Sequence, residues 1–268
     1  MTQPVTLDAV IVGAGFAGMY QLYALRERLG LKARVLEAAD GVGGTWYWNR
    51  YPGARCDSES HSYCYSFSDI ITKEWSWSER YPLQPEILRY LNFVADRLDL
   101  RRDIQLNTRV AQAHYDQAAN LWRIRTEKGE ELAATYFITA VGCLSTANVP
   151  NIPGLDGFKG KWYHTGQWPH EGVDFTGKRV GQIGTGSTGI QAVPVIAETA
   201  AHLTVFQRTA NYSVPAQNAP LSEDFKKYVR ENMGAIRAVM NSTPNGHPFT
   251  ISPTKALDVP AEERQKLY

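Results

Sequence analysis

Two six-residue glycine patterns constrain this chain more than any other feature: Gly13-Ala14-Gly15-Phe16-Ala17-Gly18 and Gly184-Thr185-Gly186-Ser187-Thr188-Gly189. Each follows a short strand-like run, the apolar Leu7 to Val12 or Lys178 to Ile183, and each opens a stretch of helical character, Met19 to Leu29 or Ile190 to about Ala200. In the first, Leu22, Leu25 and Leu29 supply the helical spacing. The order predicts strand, glycine turn and helix, twice over. The glycines permit a tight turn, close approach of a pyrophosphate and close packing of helix on strand. The helix start adds N–H groups and the positive end of its dipole. A second apolar strand follows in both copies, Ala33 to Leu36 and Leu203 to Phe206.

The residue ending that second strand separates the copies chemically. Glu37 follows Gly13 by 24 residues, and Arg208 follows Gly184 by the same 24. A carboxylate accepts hydrogen bonds from a ribose diol and repels a 2′-phosphate, whereas a guanidinium pairs with that phosphate through bidentate bonds. Two different dinucleotides are therefore expected, one lacking a 2′-phosphate at the first turn and NADP(H) at the second. The fold class that follows is α/β, with two Rossmann-like dinucleotide-binding domains in three layers. A length of 268 residues suits two domains. Pro150, Pro153 and Gly154 punctuate a connector, which sets the expected domains at 1–147 and 148–268.

Between the two turns, Thr45 to Asp57 reads as loop, rich in aromatics and glycine. Gln84 to Leu98 places Ile87, Leu88, Leu91, Val94 and Leu98 on one helical face, with Pro85 near the start. Trp122 to Thr126 and Leu132 to Thr135 flank Lys128-Gly129 as a hairpin, and Tyr136 to Val141 reads as a further strand rejoining the first sheet. Ser222 to Met240 reads as an amphipathic helix capped by Ser222, with Pro244 to Pro248 as a turn.

Composition narrows the partners. Twenty-eight Lys and Arg against 27 Asp and Glu leave a formal charge of +1, which argues against a nucleic acid or an anionic membrane surface. No run of about 18 apolar residues and no export signal are present, so neither a membrane span nor secretion is expected. Cys56, Cys64 and Cys143 include no C-x-x-C pair, which disfavours a disulfide framework or metal site and suits a cytoplasmic location. Seven tryptophans, four of them between Trp46 and Trp77, indicate a lined pocket or core packing. Packing is the reading for Trp75, Trp77, Trp122 and Trp162.

Two longer patterns resemble a known family. Phe158-Lys159-Gly160-Lys161-Trp162-Tyr163-His164-Thr165-Gly166-Gln167-Trp168-Pro169 matches every specified position of F-x-G-x-x-x-H-x-x-x-W-[PD]. Gly43-Gly44-Thr45-Trp46, Tyr51-Pro52-Gly53 and Asp57 match [AG]-G-x-W-x-x-x-x-[FY]-P-[GM]-x-x-x-D. Both are similar to the fingerprints of type I Baeyer-Villiger monooxygenases, and Arg55-Cys56-Asp57 is most similar to the phenylacetone-oxidising branch. The resemblance spans about residues 8 to 215.

The resemblance implies FAD and NADPH as cofactors, and insertion of one oxygen atom of O2 beside a ketone carbonyl through a C4a-peroxyflavin, giving an ester or lactone. By carry-over, Gly13, Gly15, Phe16, Gly18, Glu37, Gly44, Thr45, Trp46, Tyr47, Trp48, Asp57, Tyr63 and Val110 would hold FAD. Thr185, Gly186, Ser187, Thr188, Gly189, Gln191, Arg208, Thr209 and Arg55 would hold NADP(H). Asp57 and Arg55 are the catalytic candidates, with Asp57 helping to position an arginine that stabilises the peroxide. That arginine has no counterpart here, because Arg50, Arg80 and Arg109 stand at other positions. His164 is read as structural, and Cys56 as a small buried hydrophobe.

Family members are about twice as long, so the resemblance casts this chain as an N-terminal half with both domains incomplete. Its expected partner is the C-terminal half as a separate chain. The competing readings are a nitrogen- or sulfur-oxidising flavin monooxygenase, and an inactive cofactor-binding fragment that needs a second half. A disulfide reductase is disfavoured, since Cys56 and Cys64 lack the spacing of a redox pair.

Overall fold

A computed structural model describes residues 5–213, 215–249 and 254–267. In chain order the strands and helices are β1 (Val5–Val12), α1 (Phe16–Tyr23), β2 (Ala33–Leu36), α2 (Thr45–Trp48), α3 (Asp69–Glu74), α4 (Gln84–Arg97), β3 (Ile104–Gln105), β4 (Val110–Asp116), β5 (Leu121–Thr126), β6 (Glu131–Thr139), β7 (Arg179–Ile183), α5 (Ser187–Ala197), β8 (His202–Phe206), α6 (Glu223–Ser242) and α7 (Ala261–Leu267). The mixed α/β class holds, with parallel pairing at both glycine turns.

Six strands form one sheet in the order β3-β2-β1-β6-β5-β4. The β3-β2-β1-β6 portion is parallel, and β6-β5-β4 is antiparallel. The central strand β1 is apolar because both faces of the sheet are covered along it: the consecutive residues Ala9, Val10 and Ile11 are fully buried. Val10, Leu36, Ile124, Leu132 and Ala134 form a core cluster, against which Val110, Trp122 and Phe137 pack.

Expected strands 132–135 and 136–141 are one continuous strand. β6 pairs with β5 through Glu131–Ala134 and with β1 through Leu132–Thr139, so a single run serves both ladders. No turn residue interrupts Ala134-Tyr136, and the chain stays extended.

The first helix also departs from expectation. Helical spacing predicts Leu22, Leu25 and Leu29 on one inward face, yet Leu29 is 65% exposed. After Tyr23 the backbone widens into a π-helical turn, Ala24–Arg28. There the Arg26 guanidinium donates to the Leu98 and Asp99 carbonyls and to the Asp103 carboxylate at 2.7, 2.8 and 2.9 Å. These bonds rotate the end of the helix out of register with its apolar stripe.

The α4 helix buries Ile87, Tyr90, Leu91, Val94 and Ala95, and the Tyr90 ring lies 6.1 Å from Phe16 at the start of α1. The segment after Glu37 is not wholly loop, since Thr45–Trp48 closes a single helical turn. Trp46, Trp77 and Trp168 are buried, but Trp162 is 50% exposed and does not serve the core.

The chain divides into two compact units, residues 1–57 with 81–217 and residues 58–80 with 218–268. The first carries both glycine turns. Among the described residues its second turn is framed by a two-stranded parallel sheet, β7 with β8, with α5 against both strands. Ile183 is 71% exposed and Phe206 56%, so the end of this sheet next to the glycine turn leaves apolar side chains open.

In the second unit the Arg237 guanidinium of α6 donates to the Ser62 and Cys64 carbonyls. Arg80 and Glu59 close that segment with an ion pair. Ser222 caps α6, its hydroxyl accepting the Phe225 N–H at 3.2 Å.

Candidate dinucleotide sites

The first glycine turn is closed to any side chain. Gly13 has φ +104°, and a Cβ there would stand 2.6 Å from the Ala140 carbonyl oxygen; one on Gly18 would stand 1.8 Å from the Gly13 carbonyl oxygen. Gly15 faces Gly44, where an added Cβ would meet backbone at 3.3 Å. The Gly43 N–H donates to Ala14 O at 3.0 Å, so the start of α2 is fastened to the turn. Helix α1 begins at Gly15 with no side-chain cap, which leaves its first-turn dipole for a phosphate.

Glu37 closes the back of this cradle. It is buried, and Oε2 accepts the Ala14 N–H at 2.6 Å while Oε1 accepts the Ala39 N–H at 2.8 Å. A carboxylate has about four lone-pair sites, so two bonds leave acceptors for a ribose diol. The Glu37 carbonyl takes the Thr108 N–H at 2.7 Å, which brings the start of β4, with Val110, alongside. A glycine cradle, an uncapped helix start and a buried acceptor together fit the adenosine diphosphate portion of FAD.

Four residues of α2 follow. Trp46 and Tyr47 are buried, Thr45 and Trp48 exposed. Gln84 donates to the Trp46 carbonyl, and the Tyr47 hydroxyl donates to Asp40. Burial, reinforced by Asp40, raises the Tyr47 phenol pKa above its ordinary value. The His170 ring packs edge-on to Tyr47 at 5.3 Å.

The second turn repeats the geometry. Gly184 has φ +102°, a Cβ on Gly189 would lie 2.5 Å from the Gly184 carbonyl oxygen, and α5 starts at Gly186 without a side-chain cap. Gln182 reaches from β7 to the Gly184 and Gly189 carbonyls at 3.2 and 3.1 Å. Gln207 and Asn211 donate to the Thr185 hydroxyl at 2.8 and 3.3 Å. Arg208 and Thr209 stand exposed at the end of β8, as do Gly186 and Ser187 at the mouth of the turn, a placement that suits a phosphorylated ribose.

One side chain joins the second turn to the long aromatic pattern. From α5, the Gln191 Oε1 accepts the Tyr51 hydroxyl at 2.8 Å and the Arg55 N–H at 3.2 Å. Its Nε2 donates to the Arg55 carbonyl at 3.2 Å and to Asp57 Oδ1 at 2.6 Å. Thr188 bonds to Tyr51 as well, and burial raises the Tyr51 phenol pKa. Arg55 also bonds to the Tyr81 carbonyl at 3.4 Å. Gly53 makes the approach possible: at φ +74°, its missing Cβ would be 2.2 Å from the Gln191 carbonyl oxygen.

Thus Asp57, Arg55, Thr188 and Gln191 come together, and Gly13, Gly15, Gly18, Gly44 and Glu37 form a second group. Tyr63 lies in the second compact unit, with its N–H on the Glu59 carbonyl. Tyr51 and Gln182 escaped the sequence reading as site residues. A glutamine two residues before the glycine turn, with an amide able to reach the turn's carbonyls, was the available signal for Gln182. His164 caps a short turn, its Nδ1 accepting the Gly166 N–H at 3.1 Å, and Cys56 is buried. Among the described residues no cluster of three or more His, Cys, Asp or Glu could hold a metal ion.

The family model for pyridine nucleotide-disulphide oxidoreductases matches residues 10–246. The chain belongs to this family. Among curated members it is 44% identical over 268 residues to cyclohexanone 1,2-monooxygenase of Acinetobacter sp., covering 100% of this chain and 49% of that protein. It is 46% identical over 261 residues to phenazine N-monooxygenase of Lysobacter antibioticus, covering 97% and 48%. Among solved structures, cyclohexanone monooxygenase from Rhodococcus sp. Phi1 bound to NADP+ superposes with TM-score 0.93 at 45% identity, over 99% of this chain and 50% of that one. The chain spans about half the length of the curated relatives it matches.

Proposed function

We propose that this chain is the dinucleotide-binding part of a flavin-dependent monooxygenase that converts ketones to esters or lactones with NADPH and O2. The observation that carries the proposal is the clasp between Gln191 and Asp57, which ties the NADP-type helix to the acid of the flavin-type pattern. Two glycine turns alone describe many oxidoreductases; joined in this way, they suit hydride passage from one dinucleotide to the other.

In this reading residues 1–147 serve FAD and residues 148–268 serve NADPH. Gly13, Gly15, Phe16 and Gly18 would take the FAD pyrophosphate at the start of α1, Glu37 its ribose, and Gly44 to Trp48, Asp57, Tyr63 and Val110 the remainder. Thr185 to Gly189 would take the NADPH pyrophosphate, Arg208 and Thr209 its 2′-phosphate, and Arg55 and Gln191 the nicotinamide end. Bound there, the cofactors would supply hydride and activated oxygen. The protein residues orient and exclude: Asp57 presents a fixed acceptor, Tyr51 and Arg55 hold the segment that carries it, and buried Trp46 and Tyr47 keep water from the turn.

The open apolar face of β7 and β8 supports a further part of the proposal. A partner segment, supplied as the C-terminal half on a separate chain, packs over that face and brings the peroxide-stabilising arginine and the substrate loop. Among the described residues no helix is long and apolar enough to cross a membrane. Cys56, Cys64 and Cys143 form no disulfide with one another, which suits a cytoplasmic location.

The test is an absorbance spectrum of the purified protein, followed by anaerobic NADPH and then oxygen with cyclohexanone or phenylacetone. Bleaching of a flavin band and formation of ester support the reading, with or without an added second half. Hydride transfer from NADH at the same rate as from NADPH overturns the role given to Arg208. The likeness to a phenazine N-monooxygenase favours one alternative, nitrogen oxidation. It prevails if a phenazine is oxidised while ketones leave NADPH consumption unchanged.

A further inference from the structure

We infer that Gln191 is a positioning residue: its side chain sets where the Asp57 carboxylate stands, and so couples nucleotide occupancy of the second turn to the acid that ends the long aromatic pattern. This rests on the functional reading above and changes one role in it: that reading puts Gln191 at the nicotinamide end, whereas an amide whose four bonds all lie inside the protein acts on Asp57.

A primary amide offers two acceptor lone pairs and two N–H donors. All four are engaged here, and every partner lies in the segment Tyr51 to Asp57. The partners also fix which way the amide points, since one side faces two donors, Tyr51 O–H and Arg55 N–H, and the other faces two acceptors, Arg55 C=O and the Asp57 carboxylate. Bonding both the N–H and the C=O of Arg55 treats that residue as a strand neighbour would, so the amide docks the backbone as well as the carboxylate.

No other residue type reproduces the pattern. Asparagine is one methylene short. Glutamate supplies acceptors only and would face Asp57 and the Arg55 carbonyl with negative charge. Lysine supplies donors only. The Gly53 contact adds a second hold, for the Gln191 backbone lies where a Cβ of residue 53 would be.

Gln191 is the fifth residue of α5, about one turn beyond the uncapped start at Ser187. A phosphate drawing that helix toward itself therefore moves the amide, and Asp57 moves with it. The amide bonds to Asp57 Oδ1, which leaves Oδ2 for other partners.

The test compares Gln191→Met, which keeps length and volume but loses all four bonds, with Gln191→Glu, which keeps the two bonds at Oε1 and repels Asp57. In the FAD-loaded protein, flavin reduction by NADPH is followed anaerobically without ketone, and NADP+ affinity is titrated separately. Positioning predicts that the glutamate variant is reduced roughly 10²-fold more slowly than wild type, and more slowly than the methionine variant. It predicts also that NADP+ affinity changes by less than about threefold in both. A tenfold or larger loss of NADP+ affinity with an unchanged limiting reduction rate would make Gln191 a nucleotide ligand and overturn the proposal. Reduction rates unchanged in both variants overturn it too.

The clasp is also read without cofactor. If it is one unit, Tyr51→Phe adds nothing to the thermal destabilisation caused by Gln191→Met; additive losses refute the clasp. A wild-type protein whose flavin is not reduced by NADPH sinks the functional reading, whereas differences among the variants judge this one alone.

Discussion

Gly18 has no room for a single methyl group, because the Gly13 carbonyl oxygen stands 1.8 Å from where its Cβ would be. Gly18→Ala is expected to open the turn, to lower stability by about 1–3 kcal/mol, and to yield protein without a flavin band after purification in excess FAD. A normal flavin spectrum in that variant would refute the cradle. His61 gives a second residue-scale prediction. It is buried against Phe225, 3.4 Å from Glu59, with Arg80 and Arg237 nearby, and its Nδ1 has no protein partner. Burial lowers its pKa, the two arginines add to the effect, and Glu59 opposes it. The unfolded chain therefore takes up a proton first as pH falls through about 6.5, and the folded state loses stability below that value. Denaturant midpoints at pH 7.5 and 5.5 should fall further apart in wild type than in His61→Gln. These two residues differ in legibility. The glycines were readable because a dinucleotide turn has one steric solution, whereas nothing local in Glu59-Ser60-His61 announces which helix will cover it.

Elements with strong periodicity or caps came through the sequence reading intact. Ser222 caps α6 as its residue type and position predict, its hydroxyl accepting the Phe225 N–H, so Ser222→Ala should cost α6 about 1 kcal/mol, measured by urea unfolding followed at 222 nm. The α4 stripe was legible for the same reason, since Ile87, Leu91 and Val94 recur at helical spacing and are buried. Failures occurred where a distant contact outweighs local pattern. Leu29 continues the stripe of α1 in sequence, but the hold of Arg26 on Leu98, Asp99 and Asp103, residues more than seventy positions away, turns it outward. The short helix Thr45–Trp48 escaped because four residues carry no periodicity, and its start is set by the fastening of Gly43 to Ala14. The β7–β8 pair supports an exchange experiment. With Ile183 and Phe206 largely in solvent, amides of β7 and β8 should exchange with deuterium at least about tenfold faster than those of β1, and an added partner that covers the face should slow them.

Across the molecule, the repeat of strand, glycine turn and helix could be read because its chemistry is local and occurs twice. The Gln191 clasp could not, since Tyr51 and Gln191 lie 140 positions apart and only the fold brings them together. A longer-range dependence runs through β6. Its first residues lie in the antiparallel hairpin with β5, its last lie beside β1, and the next residue, Ala140, donates to Val12 and walls off Gly13. The strand thus works as a ruler whose zero is set at the Lys128-Gly129 turn and whose far mark falls on the cofactor cradle. Extra residues at that turn leave the ruler uncut, so a short peptide inserted between Lys128 and Gly129 should leave flavin uptake intact. Deleting Tyr136 moves every later mark by one, reverses which face each side chain meets, and brings Val141 to the wall of Gly13. For anyone grafting a tag or a sensor loop into this chain, tolerance is decided by which side of Glu131 the graft enters, and surface exposure is a poor guide to it.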